Sequence, residues 1–469
     1  MRFFREVGRD RTTNVYTAVA LAAFLNAVWF IWRNRFLPLE DYPDWLYQGF
    51  ILSQYLRHSA LPAFSLKHYP VPYSTFTVAL GLMDCVMAPE TAGKILLTVM
   101  VGVYLLSSMY FLTSLESGEN PLLYIPLVLC VNYFFFAGNS SYYLALGMFY
   151  WLSGYLLRYR LTASSAIVGV GLTLTFMTHL LPYLAALGLI LLLLGNDIYQ
   201  RRSSHILWAV TVICPSMLLL AWYVVGRMVS GDLGGQIWMW WNNWHVLAGM
   251  FVYSLSPFLK FLPFVDGSGL GMKAAASLNL VWSALAVMAI GASLAGAIRF
   301  GGQQRLVAVC ALLFMLAYVL SGSRFASGST GERFLLPSLW FACCWLGSLP
   351  QLRSGSGAML LRLFLIAMVG LQIVWLDTVA AGTSDKLAGV YHEMSAAPDR
   401  DSFCKIYESY LEASWPSHGQ PGVDWLLANV AGTIRLPYYL YIQKDIAAPI
   451  FPVGLLTYRG AGKYDNLCE

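Results

Sequence analysis

Apolar runs of membrane-crossing length recur along this chain, and short polar stretches between them carry most of the charge. A helix that crosses hydrocarbon needs about 20 mostly apolar residues. The pattern predicts spans at Asn14–Arg33, Pro72–Met87, Ile95–Leu112, Pro121–Ala137, Tyr142–Leu157, Ala163–Met177, Leu181–Leu194, Ile206–Val225, Ala276–Ile298, Leu306–Leu320, Phe334–Leu349 and Ala358–Val379. A further apolar stretch, Trp244–Phe264, is interrupted by Pro257 and Lys260. Two polar intervals are long, 36–73 and 230–273. From Gly382 onward charges, prolines and glycines return. The expected fold is therefore an all-α polytopic membrane protein, with residues 1–380 as the membrane module and 381–469 as a small segment outside the bilayer.

Composition strengthens this picture. Of 469 residues 58% are hydrophobic and only 11% charged, whereas a soluble chain carries roughly a quarter charged residues. Lipid must solvate most of the surface. The net charge of +5 is spread over short loops, which argues against a nucleic-acid partner and for membrane topology. Arg2, Arg5, Arg9 and Arg11 precede the first run and place the N-terminus in the cytoplasm. That run lacks a small-x-small cleavage site, so it reads as an uncleaved helix. Arg158–Arg160, Arg201–Arg202, Arg299–Arg305 and Arg353 fall on the same inner side. The segments around His179, 230–273 and 321–333, and the C-terminal tail, then lie outside. Between Arg35 (outside) and Arg158 (inside) an odd number of crossings is required, yet four apolar runs occupy that interval. One of them is expected to be re-entrant, split or interfacial, and the total to be odd, 11 or 13. Six cysteines lie in apolar runs and read as small hydrophobes. Cys404 and Cys468 lie in the tail, where an oxidising compartment would allow a disulfide.

Several function classes are excluded by missing motifs. The chain has no P-loop, no GxGxxG after a strand and no HExxH, so ATP-driven pumping has no support. The first outer interval offers the richest chemistry. Glu40-Asp41-Tyr42-Pro43-Asp44-Trp45 sets three carboxylates beside a membrane helix. A carboxylate there can act as general base for a hydroxyl or ligate a divalent cation; equally, Asp44 can cap an interfacial helix. His58, Lys67 and His68 follow, and Lys67 and His68 offer positive charge to a phosphate. His179, in Thr178-His179-Leu180-Leu181-Pro182, stands at the outer end of a helical hairpin as a substrate ligand or as a satisfied structural histidine. Arg333, in Gly331-Glu332-Arg333-Phe334-Leu335-Leu336-Pro337, opens a helix from the outside. It can grip a phosphate with its planar fork, anchor at the interface, or pair with Glu332. Trp238, Trp240, Trp241 and Trp244 form an interfacial belt or a stacking platform.

In this order the fragments resemble the GT-C glycosyltransferases, which include oligosaccharyltransferases, protein mannosyltransferases and aminoarabinose transferases. The likeness rests on the acidic Tyr-Pro segment, Phe136-Ala137-Gly138-Asn139, His179-Leu180-Leu181-Pro182 and Arg333 to Pro337. It covers roughly residues 14–380. It implies a bacterial inner-membrane enzyme with a bundle of 11–13 spans. Such an enzyme moves a sugar from a polyprenyl-phosphate donor to a glycan, lipid or protein hydroxyl at the outer face, with inversion. The resemblance implies Asp41 as catalytic base and Asp44 as second acidic residue, with Glu40, Lys67, His68, His179 and Arg333 binding substrate. No WWDxG signature occurs, so metal dependence stays open, no residue is assigned to a metal, and asparagine glycosylation is disfavoured. The competing expectation is a transporter or flippase of a lipid-linked or amphipathic solute, using Asp84, Arg362 and Asp377. No inverted repeat supports it.

Overall fold

In a computed structural model the chain is described over residues 11–57, 64–115, 120–199, 206–230, 244–258, 270–321, 331–353, 355–398, 400–414, 438–439, 442 and 455–458. Arg2, Arg5, Arg9, His58, Arg201, Arg202, Trp238, Trp240, Trp241, Lys260 and Cys468, named above, lie outside the described residues.

The chain is a helical, polytopic membrane protein. Among the described residues seven helices are long and apolar enough to cross a bilayer: Asn14–Arg33, Pro89–Leu112, Leu180–Tyr199, Ile206–Ser230, Lys273–Arg299, Gly302–Leu320 and Ser356–Ala396. Their outward faces carry exposed aliphatics such as Leu106, Leu191, Leu218 and Leu360, as a lipid-facing surface requires.

The elements run in this order. Helix α1 is Arg11–Arg33 and α2 is Tyr42–Leu56; strand β1 is Phe64–Leu66; α3 is Ser74–Asp84 and α4 is Pro89–Leu112. Two one-turn helices follow, α5 (Ile125–Val128) and α6 (Tyr133–Phe136). Then come α7 (Ser140–Tyr159), α8 (Ser165–Thr178), α9 (Leu180–Tyr199), α10 (Ile206–Ser230), α11 (Trp244–Leu255), α12 (Leu270–Arg299), α13 (Gly302–Leu320), α14 (Leu335–Gly347) and α15 (Ser356–Trp375). A π turn leads directly into α16 (Ala381–Ala396), followed by α17 (Arg400–Ser414) and β2 (Leu456–Tyr458).

Hydrogen bonds define two ends of the bundle. At the acidic end Lys94 Nζ donates to the Trp32 carbonyl at 3.4 Å, joining the end of α1 to the start of α4. At the basic end Arg158 donates to Thr113 Oγ1 at 2.7 Å, and Gln303 donates to the Leu157 carbonyl at 2.6 Å. Helices α4 and α7 pack closely, because Gly154 lets the Phe111 backbone approach: an added Cβ would stand 3.1 Å from the Phe111 Cα. An aromatic seam fills the space beyond. Tyr104 stacks on Tyr143 at 4.3 Å, and Tyr150 on Trp340 at 5.8 Å.

Two of the predicted spans take other forms. Pro72–Met87 yields only the 11-residue α3, about 16 Å long against a hydrocarbon core of about 30 Å. It lies along α2 instead, where Gly81 abuts Leu52 and Trp45 meets Phe76 at 6.0 Å. Pro121–Ala137 is broken into a 3-10 turn, α5 and α6. The break is built by Asn132, which is fully buried. Its side chain accepts from the N–H groups of Phe134 and Phe135 and donates to the Leu129 carbonyl.

The fold also holds one two-stranded antiparallel sheet, Phe64 opposite Tyr458 and Leu66 opposite Leu456. The boundary expected after residue 380 falls inside the continuous helical run Ser356–Ala396. Tail residues pack on the segment that follows α1. Tyr391 and Tyr439 lie against Phe36 at 4.5 and 5.0 Å, and Arg35 sits over the Tyr391 ring. Cys404 is disulfide-bonded; the other described cysteines are free thiols.

Asn132→Ala removes three hydrogen bonds at a buried break. The expected cost is about 1–2 kcal/mol, read as a lower thermal midpoint of the micelle-solubilised protein. An unchanged midpoint would mean that the break holds without Asn132.

Candidate functional site

The broken segment ends at the acidic end of the bundle, and its last carbonyls need donors. The acidic loop supplies them. Glu40 N–H donates to the Phe136 carbonyl at 2.9 Å and Asp41 N–H to the Ala137 carbonyl at 3.4 Å. Trp45 Nε1 donates to the Gly138 carbonyl at 3.2 Å. Gly138 has φ +67°, a conformation costly for any residue with a Cβ. A Cβ there would also stand 2.7 Å from Tyr42 N and 2.9 Å from Asp41 Cα. Glycine is therefore required twice over.

These bonds fix Asp41 as the N-cap of α2, with its carbonyl accepting from Trp45 N–H at 3.2 Å. The Asp41 carboxylate makes no capping hydrogen bond, and the residue is half-buried. Asp44 differs. It is 2% exposed, and its Oδ2 accepts from Gln48 at 2.7 Å, one turn on. Of the two carboxylates, Asp41 is the more exposed.

The other flank of the same turn holds the cation. Asn139 Oδ1 accepts from Arg333 Nη2 at 3.2 Å. Arg333 Nη1 faces His179 Nε2 at 3.2 Å, and the guanidinium lies over the Tyr142 ring at 5.5 Å. Tyr142 also donates its hydroxyl to the Arg333 carbonyl. Glu40, Asp41, Glu332 and Arg333 all lie within electrostatic range of the Tyr133 phenol. Residues from three distant stretches thus converge around Gly138 and Asn139.

The Arg333–His179 contact is frustrated. His179 Nδ1 accepts from Leu181 N–H at 3.1 Å, so a neutral ring carries its proton on Nε2. That N–H then points at a guanidinium, which can only donate. The other tautomer moves the conflict to Leu181. A charged ring would add a second cation, and burial together with Arg333 pushes the His179 pKa well below its ordinary value. Arg333 Nε is also buried without a partner. Arg333 Nε and the opposed Arg333 and His179 nitrogens are thus buried donors whose capacity an anion would satisfy. Directly below Arg333 the walls turn apolar: Leu146, Phe149, Pro182, Ala185, Phe314 and Pro337 line a narrow crevice of about 10 Å³.

Some predicted residues sit elsewhere. Lys67 directly follows β1, where its N–H donates to the Leu455 carbonyl at 3.0 Å, and His68 is exposed just beyond it. Asp84, Arg362 and Asp377 lie on three separate elements, α3, α15 and the π turn. Among the described residues no three His, Cys, Asp or Glu side chains form a metal-ligating group.

Two residues escaped the sequence reading. Tyr73 has φ +78°, rare for an aromatic residue, and its ring meets His179 edge-on at 4.5 Å. No sequence signal marks that backbone. Arg227 donates to Tyr223 at 3.2 Å, and the Tyr73 phenol lies within electrostatic range of both Arg227 and Arg333. Arg227 had a signal: it is a basic residue at the acidic end of an apolar helix, against the charge rule. Compared with protein-family models, with curated proteins and with solved structures, the chain gives no match.

Gly138→Ala should lower the thermal midpoint by more than the ~1–2 kcal/mol of left-handed strain alone, because the new methyl meets backbone. Gly188→Ala, with nothing within 4 Å, is the neutral control. A tolerated Gly138→Ala would show that the turn can move. The lowered His179 pKa has its own signature. The unfolded chain takes up the proton near pH 6.5 and the folded one does not. Stability is therefore lost progressively as pH falls from about 6.5 toward the lowered folded-state value. His179→Gln should flatten that part of the midpoint-versus-pH curve; equal slopes would mean that the ring is not held neutral.

Proposed function

We propose that the protein is a membrane glycosyltransferase of the GT-C type. It would transfer a sugar from a polyprenyl-phosphate donor to an acceptor hydroxyl at the outer face of a bacterial plasma membrane. The observation that carries this reading is the meeting of unsatisfied Arg333 and His179 donors above an apolar crevice, one turn of backbone away from the Asp41 carboxylate. The phosphate of a lipid phosphate ester would meet these donors, while the crevice, at about 10 Å³ no larger than a water, would supply only an apolar wall beside it.

The topology supports the reading. With α3 lying along α2, the crossings between Arg35 and Arg158 become α4, the broken segment and α7, an odd number. Among the described residues the sum is eleven passages: α1, α4, the broken segment, α7 to α10, and α12 to α15. The basic end then faces the cytoplasm, and the acidic end, with the tail, faces outside.

In the proposed step the Asp41 carboxylate takes the proton of the acceptor hydroxyl as its oxygen attacks the anomeric carbon. The bond from that carbon to the phosphate oxygen breaks in line, so the configuration inverts. Arg333 and the neutral His179 N–H donate to the departing phosphate, whose charge grows in the transition state. Glu40 and Asn139 frame the two sides.

Asp41→Asn, assayed in membranes supplied with polyprenyl-phosphate sugars, should lower transfer on the order of 100- to 10,000-fold, the usual worth of a positioned base. Asp44→Asn should affect stability more than rate. Full transfer by folded Asp41→Asn would remove Asp41 from the base role. Absence of transfer from every polyprenyl-phosphate sugar by the wild-type protein would overturn the reading.

A further inference from the structure

A second cavity lies at the opposite end of α14 from Arg333, and the reaction proposed above makes no use of it. It is half-open, about 280 Å³ in volume, and bounded by α12, α14, α15 and the 3-10 turn at Pro121–Tyr124. Its walls include Leu122, Ala286, Ala289, Cys343, Leu346 and Leu365, with no charged residue among them. An apolar void of ~150 Å³ takes up benzene. By the same measure this one holds a hydrocarbon chain of roughly ten carbons.

Its mouth and its floor point to one occupant. Met288 lines the cavity and is 60% exposed on α12, so the opening faces lipid. The floor is at Leu346, Leu352 and Leu361, next to the basic end of the bundle. Arg353 follows Leu352 and donates to the carbonyls of Gly347 and Ser348 at 3.0 and 2.9 Å. Ser348 Oγ accepts from Gln304 at 3.1 Å, which brings the start of α13, with Arg305, to the same place. Arg362 follows Leu361 in α15, and Arg299 closes α12. An apolar slot whose lining runs into Arg353 and Arg362, at the end of the bundle that also carries Arg299 and Arg305, matches a lipid with a negative headgroup at that membrane face.

We infer that this cavity binds one acyl chain of an anionic glycerophospholipid, with the headgroup among Arg299, Arg305, Arg353 and Arg362. The site is separate from Arg333 and His179, and it stands whether or not the transferase reading does. A polyprenyl-phosphate tail is the alternative occupant, because it is also hydrocarbon; its phosphate would have to leave Arg333 for the basic end.

Native mass spectrometry of the delipidated full chain in micelles tests this. Dioleoyl phosphatidylglycerol, dioleoyl phosphatidylcholine and a polyprenyl phosphate are titrated separately. The expected result is one retained phosphatidylglycerol, with phosphatidylcholine at least about fivefold weaker. Exposed Arg299→Gln should weaken phosphatidylglycerol by about fivefold, the worth of one basic residue near a membrane surface. Ala289→Phe fills the slot and should weaken it roughly tenfold or more. Should Ala289→Phe prove misfolded, competition by free oleate reports on the slot in the wild-type protein. Equal retention of both phospholipids would overturn the headgroup assignment. Tighter retention of polyprenyl phosphate, sensitive to Ala289→Phe, would overturn the choice of occupant. Insensitivity to both Ala289→Phe and oleate would remove the cavity from the site.

Discussion

A helix that stops inside a membrane protein leaves carbonyls that water cannot reach, and every such group must find a donor within the protein. The segment ending at Phe136 meets that demand with the acidic loop. Phe136, Ala137 and Gly138 receive the N–H groups of Glu40 and Asp41 and the indole of Trp45. The bonds that satisfy the broken helix are thus the bonds that place Asp41. On the turn's other flank Asn139 receives Arg333. Structural necessity and candidate chemistry share one set of contacts, so neither can be altered alone.

That sharing explains what could be read beforehand. The apolar runs, their polar interruptions and the scattered arginines identify the membrane class, because lipid tolerates no other pattern over such lengths. Asp41, His179 and Arg333 stand out because each is a costly group beside an apolar run. The contact between His179 and Arg333 was not legible, since nothing in their spacing measures distance across a bundle. Hydropathy also misread 72–87, because it reports how apolar a helix is and not whether its backbone runs along the membrane or through it. Tyr73 was invisible for a related reason: a left-handed residue is imposed by what packs around it.

The site is also divided by mobility of charge. Glu40, Asp41, Glu332 and Arg333 surround one phenol, Tyr133, in a region poor in water. Electrostatic interactions are strong there, so net charge must be kept near balance.

Pairing Phe64–Leu66 with Leu456–Tyr458 has a consequence in time. Ribosomes deliver the first strand long before its partner, and contacts so distant in sequence form slowly. The loop that carries Asp41 therefore spends most of synthesis uncovered, with Tyr47, Phe50 and Ile51 lacking the Leu456 that later buries them. The covered acidic loop is one of the last things this chain makes, and a nascent chain halted early would reach the membrane with its scaffold built and that loop still unsecured.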